Sequence, residues 1–523
     1  MGFQFPRQQP TAQFSAIAGP GGSVLGRRAA FDLWRPMATD ANGDDTWEIG
    51  DQRAWSRDLG RTDAITRSGF DRWREYVVGT GLRLQSRIDE EELGLDEESV
   101  EKWQNKAEKR FNMWAESKFC SFEGDQNFYE MQQTLAESKQ ASGDVFAILR
   151  VKSRPGWPFV LTIQLVEADR VCNPNNGANT ATLFEGIERD EQGEIIRIHV
   201  ASHHPNSLLP PARREWTPIN VFGENGRRNI LHWKRQRRPG QSRGMPLPSV
   251  ITGTLKQLGR YTEAEIDAAV NSATMAIFAE MDTASFDDIF SAEQRELYVS
   301  QALQARQNAT ALQSGQVINT LPGEKINVPT PGRPNPNAPP FFDLFLKLCA
   351  MGLGVPEEII VGKFTTSYTA AQAAFQQWFQ SVFIERAGLV WNFCQPVYET
   401  FLEDCVIDGI IAAPGFLANP FIRYAYSGSQ WTGSGRFVLN PRQEAEAARI
   451  RASFMTTEAE ESLAYDGGDW DSRHRQRARE AAARRRDNLP PLGETQLSDG
   501  QGSPDNQSPD NESPDQPGED PVT

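Results

Sequence analysis

One block, residues 350–374, constrains this chain more than any other; it reads AMGLGVPEEIIVGKFTTSYTAAQAA. An apolar helical run, residues 341–352, enters it, and a second, very aromatic helix leaves it. That second helix places Phe375, Trp378, Phe379, Val382 and Phe383 on one broad apolar face. The loop between them, residues 355–367, follows Gly354 and contains Pro356 and Gly362, residues that end helices. Ser367 or Thr369 supplies a capping oxygen for the helix that follows, and Pro396 predicts a kink or an interruption further on.

A second long helical pattern spans residues 247–281. Ile251, Leu255, Leu258, Thr262, Ile266, Ala269, Ala273 and Ile277 trace a narrow apolar stripe, opposite Lys256, Arg260, Glu263 and Asp267. Such a stripe fits a helix packed against copies of itself. A chain of 523 residues exceeds one core, so two to four domains are expected. The 13 Trp and 29 Phe must be buried within the chain or between chains.

The remaining elements follow in order. Residues 1–50 lack a sustained period and read as an arm. Residues 55–78 are helical, with Asp51 or Asp58 as the start cap and Phe70, Trp73 and Val77 on one face. Residues 98–115 form an amphipathic helix with Trp103, Ala107, Phe111 and Trp114 inward, and a third helix spans 127–142. Strands are read at 144–151 (a continuous apolar run, buried on both faces), 159–166, 195–200, 219–222 and 229–233. Asp190 to Gly193 reads as a hairpin turn. Residues 285–340 hold a Gln-rich helix at 292–312, short strands near Val317 and Ile326, and a Pro-rich turn. The fold class is α+β.

Charge and cysteines narrow the function. The net charge of −16 argues against a protein that grips DNA through its phosphates. Half of that charge sits in residues 494–523, with eight acids and no base, and just before it residues 473–486 carry seven Arg against one Glu. The body is therefore only mildly acidic, which suits a conduit better than a clamp. The Arg cluster reads either as a DNA contact or as a partner for the acidic tail. The tail holds the period-five repeat SPDNQ, SPDNE, SPDQP and is expected to be disordered. Five Cys at irregular spacing, with no CxxC pair, read as reduced thiols. No apolar run reaches about 18 residues and the first residues lack a signal-peptide core, so a soluble product made in a cytoplasm, with no membrane association, is expected.

No catalytic constellation is present. The His203-His204 pair lacks a carboxylate at ligand spacing, and His232 in NILHWK reads as a hydrogen-bonded core residue. The GxxxxGK[ST] and HExxH patterns do not occur. No enzyme activity, cofactor or metal is expected. The basic run Lys234, Arg235, Arg237, Arg238 and Arg243 reads as structural or intersubunit ion pairing, with DNA contact as the alternative. Its flanking Pro239, Gly240, Gly244 and Pro246 make it a tight turn into the long helix.

Several ordered blocks carry a resemblance: ITRSGFDRWREYVVGTGLRLQS from Ile65, RPGQSRGMP at 238–246, GQVINTLPGEKI at 315–326, the 350–374 block, and the Trp431 to Trp470 region with its Gly467-Gly468-Asp469-Trp470. Together they resemble the lambda-like portal proteins of tailed phages over about residues 50–485. The resemblance implies a β-rich wing, long stem helices, a small α/β clip and a helical crown, assembled as a ring, with a dodecamer as the family's form. It implies an N-terminal arm at 1–50, wing at 51–245, stem helix at 246–284 and clip at 285–340. A second stem helix at 341–355 and a tunnel loop at 356–368 follow, then a long helix, wing return and crown at 369–490 and the tail at 491–523. Lys256, Arg260, Lys363 and Phe364 are the implied DNA-channel candidates, Arg238 and Arg243 mark the wing–stem junction, and Ile251, Leu255 and Leu258 are assigned to subunit packing. For Lys256 and Arg260 the alternative is a solvated outer face, and for Lys363 and Phe364 a loop buried at a subunit contact. Implied partners are double-stranded DNA, the terminase large subunit, scaffold and major capsid proteins, and a head–tail connector. The implied location is a capsid vertex of the virion, after assembly in the host cytoplasm. The rival readings are a tail or baseplate component and a DNA-processing enzyme.

Overall fold

In the computed structural model, residues 39–45, 48–207, 214–273, 278–281, 324–327, 338–363, 368–435, 441–466 and 470–487 are described, with isolated positions between 291 and 301. The helices are α1 (Ala41–Asp45), α2 (Ile49–Thr62), α3 (Ala64–Val77), α4 (Glu90–Leu93), α5 (Glu97–Glu116), α6 (Phe128–Ser142), α7 (Thr252–Ala273) and α8 (Ala338–Leu353). They continue with α9 (Glu357–Val361), α10 (Tyr368–Leu389), α11 (Gln395–Ile407), α12 (Pro420–Tyr426), α13 (Pro441–Phe454), α14 (Glu458–Asp466) and α15 (Trp470–Arg486). The chain divides into two units, residues 1–431 and 432–523, with the last three helices in the second.

The first unit is organised around β2 (Asp144–Val151), the central strand of a three-stranded antiparallel sheet with β3 (Leu161–Val166) and β8 (Ile230–Lys234). Its apolar run is buried on both faces, as the sequence implied. Val145, Ala147 and Leu149 point into a large helical core, while Phe146 and Ile148 point into a second core. That second core is closed by a sheet of β4 (Leu183–Phe184), β5 (Ile187–Arg189), β6 (Ile195–Ala201) and β7 (Trp216–Asn220), contributing Ile187, Ile198 and Val200. The period-two alternation of a strand thus serves two different cores at once.

The helical core is a nest of rings. Phe111 lies edge-on to Phe128, Tyr398 and Phe401 with centroids 5.5, 5.6 and 5.3 Å away, and Phe128 stacks on Phe393 at 5.3 Å. Offset and edge-to-face geometry is what ring quadrupoles favour. Trp431, on β11 (Ser429–Thr432), packs against the same Phe111. This strand pairs with β1 (Arg83–Ser86), so the chain's return joins its beginning.

Several sequence expectations are corrected. The single helix read at 55–78 is two. Asp63 sits extended between them, and its carboxylate accepts the Thr66 N–H at 2.7 Å, so Asp63, not Asp51 or Asp58, caps the helix that carries Phe70 and Trp73. The helix read through residue 281 ends at Ala273, and residues 278–281 are a strand, β9 (Phe278–Met281), paired with β10 (Glu324–Asn327). Its first turn, Leu247–Val250, is a 3-10 turn, and Pro248 is tolerated there because an N–H at that position would have no intrahelical partner. Pro396 does mark an interruption of the α-helix, between α10 and α11. A π turn, Val390–Cys394, precedes α11 and absorbs the missing donor by widening the turn. The Gln-rich helix at 292–312, the strand near Val317 and most of the Pro-rich turn lie outside the described residues.

Replacing Phe111, which is fully buried, with Ala should cost about 3–5 kcal/mol. Urea unfolding followed by tryptophan fluorescence checks this, since Trp114 shares the core.

Candidate functional site

The turn that leads into α7 folds around one buried carboxylate. Asp144, at the start of β2, has no exposure. Its two oxygens receive Arg243 Nε at 2.6 Å, Arg53 Nη2 at 3.0 Å and His232 Nε2 at 3.3 Å, and the Gly244 N–H points at Oδ2 from 3.3 Å. Arg53 comes from α2, His232 from β8 and Arg243 from the turn, so four segments meet on one group.

Two guanidiniums on one carboxylate leave an excess positive charge. Carbonyl dipoles absorb it: Arg243 donates to the oxygens of Ala168, Val171 and Glu185, each at 2.7 Å, and Arg53 donates to Ser142 O at 3.0 Å. Burial by itself would raise the Asp144 carboxyl, but Arg243 and Arg53 outweigh it and hold the group well below the usual carboxylate range. Burial pushes His232 down to about 4 against the pull of Asp144. His232 also stacks on Phe146 at 4.2 Å, and is a core residue.

Backbone approach completes the junction. Gly143 caps α6 at φ +86°, and a Cβ placed there would lie 2.3 Å from Gly244 O. A Cβ on Gly244 would lie 2.1 Å from Gly143 O. Both positions exclude side chains, which explains the RGMP sequence after the arginines.

The sequence-selected residues fall into distinct settings. Arg243 is wholly enclosed and cannot reach a ligand, whereas Arg238 is exposed and ion-paired with Asp44. Lys256 and Arg260 are exposed, one turn apart on α7. Ile251, Leu255 and Leu258 are only 4–5% exposed within the single chain. Ile251 sits against Gly352 of α8, leaving no room for a Cβ, and the Tyr261 and Phe341 rings pack at a tilt with centroids 4.5 Å apart. The α7 stripe is therefore covered by the chain's own α8 at these positions, not left for a neighbouring copy. Its one exposed large apolar side chain is Ile266, among the described residues.

The segment assigned to the tunnel loop is partly helical. Residues 357–361 form α9, docked on α3 through Ile359 and Ile360 and through Ser68 Oγ, which donates to Ile360 O at 2.9 Å. Trp73 Nε1 donates to Leu353 O at 2.9 Å from the same helix. Gly362 ends the turn at φ +70°, and Lys363 beyond it is exposed. Phe364 lies outside the described residues.

One metal-ligand geometry was not foreseen. Glu167, Asp169 and His204 bring ligand atoms within 4.8 Å of one another. Arg57 already bridges both carboxylates, at 2.8 Å to Glu167 and closely to Asp169, so the cluster is an ion pair. All five Cys are free thiols, and burial raises Cys120 to about 12 and Cys349 to about 11. Among the described residues no helix is long and apolar enough to cross a membrane.

The sequence that builds this junction and the helices after it matches a known family. The family model for phage portal proteins of the lambda family matches residues 27–383, and the chain belongs to that family. It is 24% identical over 498 residues to the portal protein of Escherichia phage N15, covering 92% of each chain. It is 23% identical over 491 residues to portal protein B of Escherichia phage lambda, covering 91% of each. Among solved structures it is similar to a chain in the neck of an empty GTA (gene transfer agent) particle. There the TM-score is 0.44 at 14% identity, covering 78% of this chain and 92% of that one. A chain in the native GTA virion gives a TM-score of 0.42 at 11% identity, with 79% and 92% covered. The family is a structural component of the phage virion.

Removing the carboxylate should be severe. Asp144→Ala leaves two buried guanidiniums without their counter-charge and should cost about 3–5 kcal/mol, measured by urea unfolding. His232 gives a pH signature. Unfolded histidine titrates near 6.5 and the folded residue near 4, so its contribution is whole above pH 6.5 and is lost as pH falls toward 4. The loss amounts to roughly 3 kcal/mol. His232→Gln should flatten the decline in unfolding midpoint between those pH values; an unchanged decline would assign it to other groups.

Proposed function

We propose that this chain forms the ring-shaped channel at one capsid vertex through which double-stranded DNA is packaged and later ejected. The observation that carries the reading is the second apolar face of α8. Leu346, Cys349, Ala350 and Leu353 face the chain's own core, yet Phe341, Leu344, Leu348 and Met351 are 37, 55, 45 and 78% exposed. Their spacing of three, four and three residues lays them on one stripe. Only Asp343 and Lys347 break the apolar surface of α8, so both of its apolar sides need cover, and a single chain leaves this one largely open. A second copy of the chain supplies that cover. Beside Met351 a groove of about 610 Å³, lined by Val355, Pro356, Ala374 and Trp378, extends the apolar surface.

In this reading subunits pack through α8, while α7 turns its polar face, with Lys256 and Arg260, toward the bore. Lys363 and Phe364 stand at the loop that approaches DNA. Exposed cations followed on the same face by Glu263 and Asp267 would touch phosphates briefly without clamping them. The junction at Asp144 then fixes how the stem leaves the wing. The ring would nucleate the procapsid with scaffold and major capsid proteins, dock the terminase large subunit during packaging, and later bind the head–tail connector. ATP hydrolysis would belong to the terminase, in keeping with the missing phosphate-loop pattern.

The test separates the two stripes. Leu344→Asp with Leu348→Asp should abolish rings in negative-stain images while leaving circular dichroism and the unfolding midpoint near those of the parent chain. Leu258→Asp should instead lower the unfolding midpoint, because that side chain is internal. Rings that persist with both α8 substitutions would refute the assigned contact.

A further inference from the structure

The second unit carries a charge pattern that the channel reading does not use. Helix α15 has seven arginines, with Asp471 and Glu480 its only acids. Apart from Trp470 and its alanines the helix is polar all round. At about 100° per residue, Arg473, Arg477 and Arg484 fall on one side, and Arg475, Arg479 and Arg486 fall on nearly the opposite side. Within its unit the helix is anchored at its beginning. Trp470 Nε1 donates to Glu458 at 3.1 Å, Trp470 stacks on His474 at 4.7 Å, and Arg473 donates to Ser462 Oγ at 3.1 Å. Toward its end Arg477, Arg479, Arg485 and Arg486 are exposed. Like charges this dense repel one another along the helix and favour a bound polyanion.

We propose that the acidic segment 494–523 of the same chain docks on α15 and shields it from other polyanions. Charge complementarity selects this occupant: eight acids and no base follow seven arginines. Chain length permits it. Residues 487–493 span at most about 25 Å when extended, and a helix of 17 residues is about 25 Å long, so Glu494 reaches any point along it. The repeat places Asp505, Asp510 and Asp515 at even intervals of five residues, a regular row of charge with no apolar residue to form a core of its own. Tethering gives the segment a local concentration in the millimolar range, so weak ion pairs suffice to hold it. Because both partners are polyionic, the contact opens with salt and yields to a stronger polyanion.

The experiment compares the full chain with a chain ending at Gly493, using two labelled probes in anisotropy titrations. One probe is a synthetic peptide of residues 494–523, and the other is a short DNA duplex. The peptide should bind the truncated chain, weaken by about tenfold or more between about 50 and 200 mM salt, and fail to bind when Arg477, Arg479 and Arg485 are each changed to Glu. The duplex should bind the truncated chain at least about tenfold more tightly than the full chain at low salt. Equal duplex affinities for the two chains, or a duplex that binds where the peptide does not, would overturn the proposal; the latter result would make α15 a nucleic-acid surface. Ring assembly is read separately and does not enter either outcome.

Discussion

The architecture of the first unit turns on the Asp144 carboxylate. It stands at the start of β2, where α2, β8 and the turn into α7 converge, and each of those three delivers a donor to it. A buried ion cluster of this kind is weak evidence of net stability, because desolvation offsets most of the attraction. Its consequence is specificity. Any other packing of the turn would strand a guanidinium in the interior, so the base of α7 has one low-energy position relative to the sheet. The glycine pair 143 and 244 enforces the same position sterically. Charge and shape therefore agree on one junction, and the direction in which α7 leaves it follows.

The parts legible in sequence were those with a strong period or a local cap. The double-sided burial of β2 follows from its unbroken apolar run. The face of α5 follows from Ala107, Phe111 and Trp114, all fully buried. The cap at Asn127 is a capping box with Glu130, a signature readable from spacing alone. What sequence hid was tertiary. Arg243 looks like any surface arginine in a basic run, and only the position of Asp144, 99 residues earlier, makes it internal. Helix α8 hid a different fact. Its sequence is apolar on two sides, with the charged strip of Asp343 and Lys347 between them, so nothing in it says which apolar stripe meets α7 and which is left open. The narrow stripe read on α7 is present, and at Ile251, Leu255 and Leu258 it is covered within the same chain. Residues 357–361 were read as loop because Pro356 and Gly362 flank them, yet five residues suffice for a docked turn.

Burial thus redistributes the roles among the long helices. Helix α7 has a covered apolar side and a charged exposed side, which suits a surface facing water and passing DNA. Helix α8 has a covered apolar side and an exposed apolar side, which suits a position between subunits. Helix α10 closes the arrangement from the other flank, with Tyr76 of α3 ringed by Phe375, Trp378 and Phe379 and with Arg386 donating to the Tyr76 and Val77 carbonyls. In the proposed reading, this lambda-family chain carries its channel surface and its contact surface on two neighbouring helices held by one buried junction.

Electron cryo-microscopy of the purified protein, viewed end-on and refined to side-chain detail, tests that division most directly. The account predicts closed rings in which Phe341, Leu344, Leu348 and Met351 are covered by the adjacent subunit and Lys256 and Arg260 line the central hole. Monomers alone at high concentration would contradict it, as would rings that leave the α8 stripe open to solvent or turn Lys256 and Arg260 outward.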